Sequence, residues 1–240
     1  MSIHVFHGDK GGVGKSFASF AFGDWLIADR ETVPLVVDAD MRNADVARLF
    51  AGVAPTRQVD LRDHDGWIEL ASLLHEASET EVVISLPAGI GDILDREAAD
   101  WLESMRDLDR DVVLYWVINR TADSVNLLRS ALQTFQGRAR AMVVVKNLFF
   151  GDADRFRRWN DSKTRQAVLE AGGVEIELPD LHERIADLTA MALPPVPFSR
   201  ADELRFGDQA ELRRWRQRTN AAFDSIAPAI GIPERLRARG

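Results

Sequence analysis

The sequence predicts an α/β fold: a doubly wound, mostly parallel sheet with helices on both faces. Three observations carry this expectation. Short apolar runs recur at 3–7, 34–38, 81–86, 112–118, 141–146 and 174–178. Helical patterns lie between them, near 16–29, 66–78, 93–106, 123–135, 153–171 and 180–192, and a last helix is expected at about 208–226. The runs are β-branched and apolar throughout where they are best defined, as in Val82-Val83-Ile84 and Met142-Val143-Val144-Val145. Strands buried on both faces of a parallel sheet read this way.

Taken in order, Ile3-His4-Val5-Phe6 forms the first strand and Ser16 to Ala28 the first helix, with a glycine-rich turn between them. Val36-Val37 leads the second strand into Asp38-Ala39-Asp40-Met41-Arg42-Asn43. The third follows the polar Glu81 and runs into Ser85-Leu86-Pro87-Ala88-Gly89-Ile90-Gly91. The fourth is Val112 to Ile118, the fifth ends in Lys146-Asn147, and the sixth leads into Leu178-Pro179-Asp180. Pro194-Pro195-Val196-Pro197-Phe198-Ser199 breaks the pattern and carries the chain to the last helix. No repeat, low-complexity tract or long linker divides the chain, so residues 1–240 read as one domain.

Composition narrows the chemistry. The apolar fraction of 46% and charged fraction of 28% are those of a globular protein with a sizeable core. The absence of cysteine excludes disulfides, thiolate metal sites and cysteine nucleophiles. His4, His7, His64, His75 and His182 show no metal-ligand spacing. The N-terminus leads straight into a strand without a signal pattern, and the longest apolar run, Val112 to Ile118, is too short for a membrane span. A cytoplasmic protein with no membrane contact is expected. The net charge of −8 excludes a uniformly cationic surface, but residues 138–165 hold eight Lys/Arg against three Asp, and 200–240 hold nine Arg against six acids. Contact with non-specific DNA would have to use such local patches.

The turn Gly8-Asp9-Lys10-Gly11-Gly12-Val13-Gly14-Lys15-Ser16-Phe17 departs from the strict phosphate-loop pattern G-x-x-x-x-G-K-[ST] at Asp9, yet fits K-G-G-x-G-K-[ST] in full from Lys10 to Ser16. In such a loop the backbone N–H groups from Gly11 to Phe17 wrap a phosphate chain and a helix N-terminus points at it. Lys15 would bridge the terminal phosphates, and the Ser16 hydroxyl would hold Mg²⁺. The bland alternative is a glycine turn that binds nothing.

Lys10 followed by Gly-Gly resembles the deviant Walker A loop of the ParA/MinD family of P-loop ATPases. The resemblance implies ATP and Mg²⁺ as cofactors and a nucleotide-dependent homodimer in which Lys10 reaches the partner subunit's phosphates. It makes Asp38-Ala39-Asp40 switch I, with Asp40 on the attacking water and Asp38 in the Mg²⁺ neighbourhood; a helix-capping aspartate is the alternative. It makes Ser85 to Gly91 switch II, with Pro87, Ala88 and Gly89 matching the usual D-x-P-A-G and Ser85 standing where that pattern has aspartate. It assigns the adenine contacts to Asn147 and to Pro179 and Asp180.

Residues 149–165 interleave basic and aromatic side chains and suit either a partner surface or a partly buried helix carrying Phe156 and Trp159. With the later Gly172-Gly173 and Leu178-Pro179, this segment resembles the TraL-like conjugal-transfer branch of the family. In the last helix, Leu212, Trp215, Thr219, Ala222, Phe223 and Ile226 share a stripe, with Arg213, Arg214, Arg216 and Arg218 mostly outside it. The expected function is an ATP-dependent dimerising switch, a slow ATPase that presents a surface to a protein partner of a plasmid DNA-transfer or partition complex. Two alternatives stand beside it: a small-molecule ligase or kinase of the dethiobiotin-synthetase type, and a nucleotide-binding scaffold without turnover, motivated by Ser85.

Overall fold

A computed structural model describes residues 1–8, 10–192 and 198–233. Asp9 and most of the proline-rich break at 194–199 therefore lie outside the described residues. Among the described residues seven strands form one sheet: β1 (Ser2–His7), β2 (Leu35–Asp38), β3 (Thr56–Gln58), β4 (Val82–Ser85), β5 (Asp111–Ile118), β6 (Ala141–Asn147) and β7 (Val174–Leu178). Their order is β3-β2-β4-β1-β5-β6-β7, and every pairing is parallel. The helices are α1 (Lys15–Asp29), α2 (Asp45–Leu49), α3 (His64–Glu76), α4 (Gly91–Asp107), α5 (Ala122–Phe135), α6 (Arg157–Asn160), α7 (Lys163–Glu170), α8 (Glu183–Leu188) and α9 (Phe206–Asp224).

The six expected strands are present within a residue or two of their expected ends. The sheet is wholly rather than mostly parallel. It also gains β3, a short polar edge strand beside β2. The helix expected over 153–171 is broken. Ser162 adopts extended backbone and its side chain accepts from the Arg165 N–H, so α7 starts there as a separate helix. Phe156 and Trp159 are buried, which favours the structural reading of that segment.

Alternation along each strand splits the core into two layers. Ile3, Val5, Leu114 and Trp116 face one layer with residues of α3, α4 and α5. Phe6, Val113, Tyr115 and Val143 face the other with residues of α1 and α9. The second layer fixes α1. Phe22 of α1 packs against the Phe6 and Tyr115 rings at 5.5 and 5.1 Å, and against Phe223 of α9 at 5.2 Å. Burying each such ring stabilises the fold by about 1.5–3 kcal/mol. Polar clasps add direction. Arg216 of α9 holds Asp24 of α1 through two bonds of 2.8 and 3.1 Å, and Arg184 of α8 holds Asp208 of α9 through bonds of 2.8 and 3.1 Å. The stripe expected on the last helix is the buried one, with Leu212, Trp215, Thr219, Phe223 and Ile226 inside. Among the described residues no helix is long and apolar enough to cross a membrane.

Candidate nucleotide site

The central strand β1 is flanked by β4 and β5, and the chain leaves its C-terminal end into the glycine loop. Ligands bind at this place in open α/β sheets, where the strand order reverses. Two glycines are required by close approach. A Cβ on Gly8 would stand 2.5 Å from the Val117 carbonyl oxygen of β5. Gly14 has φ +95°, and a Cβ there would collide with the Asn147 amide. Gly11 and Gly12 are exposed along the loop, and Val13 is buried beneath it. Gly14 caps α1 without any side-chain hydrogen bond, and the first turn carries no acid. The N-terminus of α1 thus opens at the loop with no side chain at its cap position, an arrangement that suits an anion.

Lys15 is buried and its Nζ lies 3.3 Å from the Gly8 carbonyl oxygen and 3.4 Å from that of Lys10. Ser16 is half-buried in the first turn of α1. Lys10 points along the surface. Its Nζ donates to Asp123 Oδ2, at the start of α5, over 2.8 Å, with both side chains well exposed. That ammonium holds the Asp123 carboxyl below the usual carboxylate range.

Asp38 and Ser85 are register neighbours on β2 and β4. The Asp38 carboxylate is already engaged: Oδ1 accepts from the Asp40 N–H at 3.1 Å and Oδ2 from the Ala47 N–H at 2.9 Å. Burial pushes its carboxyl above the ordinary range, against the pull of those N–H groups. Asp38 thus organises the loop and α2 as a capping aspartate does. Asp40 is half-buried, and its Oδ1 accepts from the Arg42 and Asn43 N–H groups, both at 3.2 Å. Among the described residues no cluster of three or more His, Asp or Glu is arranged to hold a metal. A Mg²⁺ here would have to be held mainly by phosphate oxygens and water, and Ser16 and Asp38 are the side chains that could help to hold it.

A cavity of about 590 Å³ opens beside the loop. Gly12, Gly14 and Phe17 line one part of it, and Asn147, Pro179 and Asp180 line another. The structure therefore brings the expected loop and base contacts together around one space. Asn147 straps the loop: its Nδ2 donates to the Val13 carbonyl at 2.9 Å, and its Oδ1 accepts from the Phe149 N–H at 3.1 Å. Sequence reasoning missed Phe149, Phe150, Leu181 and His182, which also line the cavity. It missed the tie to α9 as well. Trp215 Nε1 donates to the Pro179 carbonyl at 2.8 Å, and the Trp215 ring meets the Phe17 ring at 5.5 Å.

His7 ends β1 just before the loop. It is fully buried and neither ring nitrogen has a hydrogen-bond partner among the described residues. Burial, aided by the Lys15 charge, pushes its pKa from 6.5 down to about 3. Between these values the unfolded chain binds the proton and the folded chain does not, so stability rises with pH across that window. The slope from this one group is about 1.4 kcal/mol per pH unit. Buried His4 is shifted in the same direction and adds to the effect. His7→Leu is expected to remove one proton's share of the slope. Urea unfolding at about pH 5 and about pH 6.5 measures it, and an unchanged pH dependence in the variant would contradict the assignment.

No protein-family model matches the chain. Protein MobD of Acidithiobacillus ferrooxidans is 32% identical over 225 residues, covering 94% of this chain and 97% of the relative. The chain belongs to the MobD family. Among solved structures, a chain of the MinC:MinD cell division protein complex of Aquifex aeolicus matches with a TM-score of 0.55 at 12% identity, over 100% of this chain and 100% of that one. A ParA family ATPase from Chlorobium tepidum TLS matches with a TM-score of 0.51 at 14% identity, over 90% of this chain and 98% of that one. The fold of this MobD-family protein is therefore that of MinD and ParA proteins. In that fold the loop from Lys10 to Ser16 follows the central strand β1 and leads into α1.

Proposed function

We propose that the protein is an ATP-dependent dimerising switch with slow ATPase activity, acting with a protein partner in plasmid DNA transfer or partition. The observation that carries the reading is the continuity of the site. The glycine loop, the α1 N-terminus without a side-chain cap and the base-sized cavity share Gly12 and Gly14. A nucleoside triphosphate spans such a space, with phosphates in the loop and base in the cavity. Lys15 would bind the terminal phosphates, and Lys10 would leave Asp123 to meet the phosphates of a second copy. A bound Mg²⁺ would neutralise charge on the phosphate oxygens. Asp40 would orient or deprotonate the attacking water, its half-buried carboxylate being held by two loop N–H groups. Neutral Ser85 gives a hard cation weaker support than a carboxylate would, which fits slow turnover.

The test is phosphate release from Mg·ATP beside ATP affinity. Asp40→Ala is expected to lower turnover by about 100-fold, within the usual range for a general base, while ATP stays bound. Full turnover in the variant would remove Asp40 from the chemistry.

A further inference from the structure

The Asn147 amide is engaged inside the chain at both ends, by Val13 and by Phe149, and the residue is buried. The cavity it borders offers a flat apolar ring another kind of hold. Phe149 lines the cavity although the residue is 70% exposed. Its position is defined. The Asn147 side chain fixes its N–H, the Gly151 N–H bonds the Leu148 carbonyl at 3.0 Å, and the Phe150 ring meets it edge-on at 5.3 Å. Among the other lining residues, Ala186 and Ala190 contribute only small side chains. The same cavity reaches the phosphate loop at Gly12 and Gly14, so one molecule could place a ring there and its phosphates in the loop.

We propose that Phe149 is the base-stacking residue of this site, and that it selects nucleotides by ring area, purine over pyrimidine, rather than through the Asn147 amide. Every base has a π-face, and the larger purine face covers more of an aromatic side chain. The proposal rests on the nucleotide reading above.

Calorimetric titration of the full chain with Mg·ATP, Mg·CTP and Mg·tripolyphosphate tests it. The parent is expected to bind ATP more tightly than CTP. Phe149→Ala should weaken ATP about tenfold, bring ATP and CTP close together and leave tripolyphosphate unchanged. Phe149→Trp should keep the parent's order. Parent-like ATP affinity with the purine preference intact in Phe149→Ala would overturn the stacking role. So would an equal loss of ATP and tripolyphosphate, which would mean a damaged loop. A parent that binds neither ATP nor tripolyphosphate would overturn the nucleotide reading itself, and the stacking role with it.

Discussion

Replacing Lys15 by alanine is expected to weaken ATP binding by about 10- to 150-fold, the equivalent of roughly 1.5–3 kcal/mol for one charge-assisted contact. The position explains the size of the effect. Lys15 opens α1 immediately after Gly14, and its Nζ lies back over the Gly8 and Lys10 carbonyl oxygens at 3.3 and 3.4 Å. The side chain thus spans the loop that would wrap the phosphates. Its removal takes away a cation and loosens the loop, while the aromatic packing of α1 through Phe22 and Phe223 stays in place. Titration with ATP, alongside an unfolding curve to show that the fold survives, gives the answer. Near-parent affinity would remove the phosphate-loop reading altogether.

Lys10→Ala is expected to behave differently. Its ion pair with Asp123 is exposed and screened by solvent, so the fold should be nearly unaffected. ATP binding by the single subunit should persist, because Lys15 and the α1 N-terminus remain. ATP-linked dimerisation and phosphate release should fall together, by at least about tenfold, because the charge proposed to meet the second copy's phosphates is gone. A variant that dimerises and hydrolyses like the parent would make Lys10 a surface residue and nothing more.

The parts of the fold legible in the sequence are those that local pattern controls. Val82 to Ile84 and Met142 to Val145 are apolar on both faces because both faces are covered, so the run of residue types reports the environment directly. β3 was not legible. Thr56-Arg57-Gln58 is polar and short, and only its pairing with β2 makes it a strand. Nor was α2, whose five residues are organised by the Asp38 carboxylate bonding Ala47 rather than by an apolar period.

The site shows the same division. The loop could be read because its spacing is continuous in the chain and its glycines answer to backbone geometry. Asn147, Pro179 and Asp180 line the same cavity as Gly12 and Gly14, since they lie at strand ends on the same edge of the sheet. The partners of these groups could not be read. The Asn147 bond to Val13 joins residues 134 apart, the Lys10 bond to Asp123 joins residues 113 apart, and the Trp215 bond to Pro179 joins residues 36 apart. Each depends on how distant strands and helices are arranged in the whole fold.

The central claim is that ATP closes two copies of the chain across their phosphate loops. Sedimentation of the parent protein with and without Mg·ATP tests it most directly. The account predicts a monomer of 26.8 kDa without nucleotide and a dimer with it. An unchanged mass at saturating Mg·ATP, with ATP shown to be bound, would contradict it.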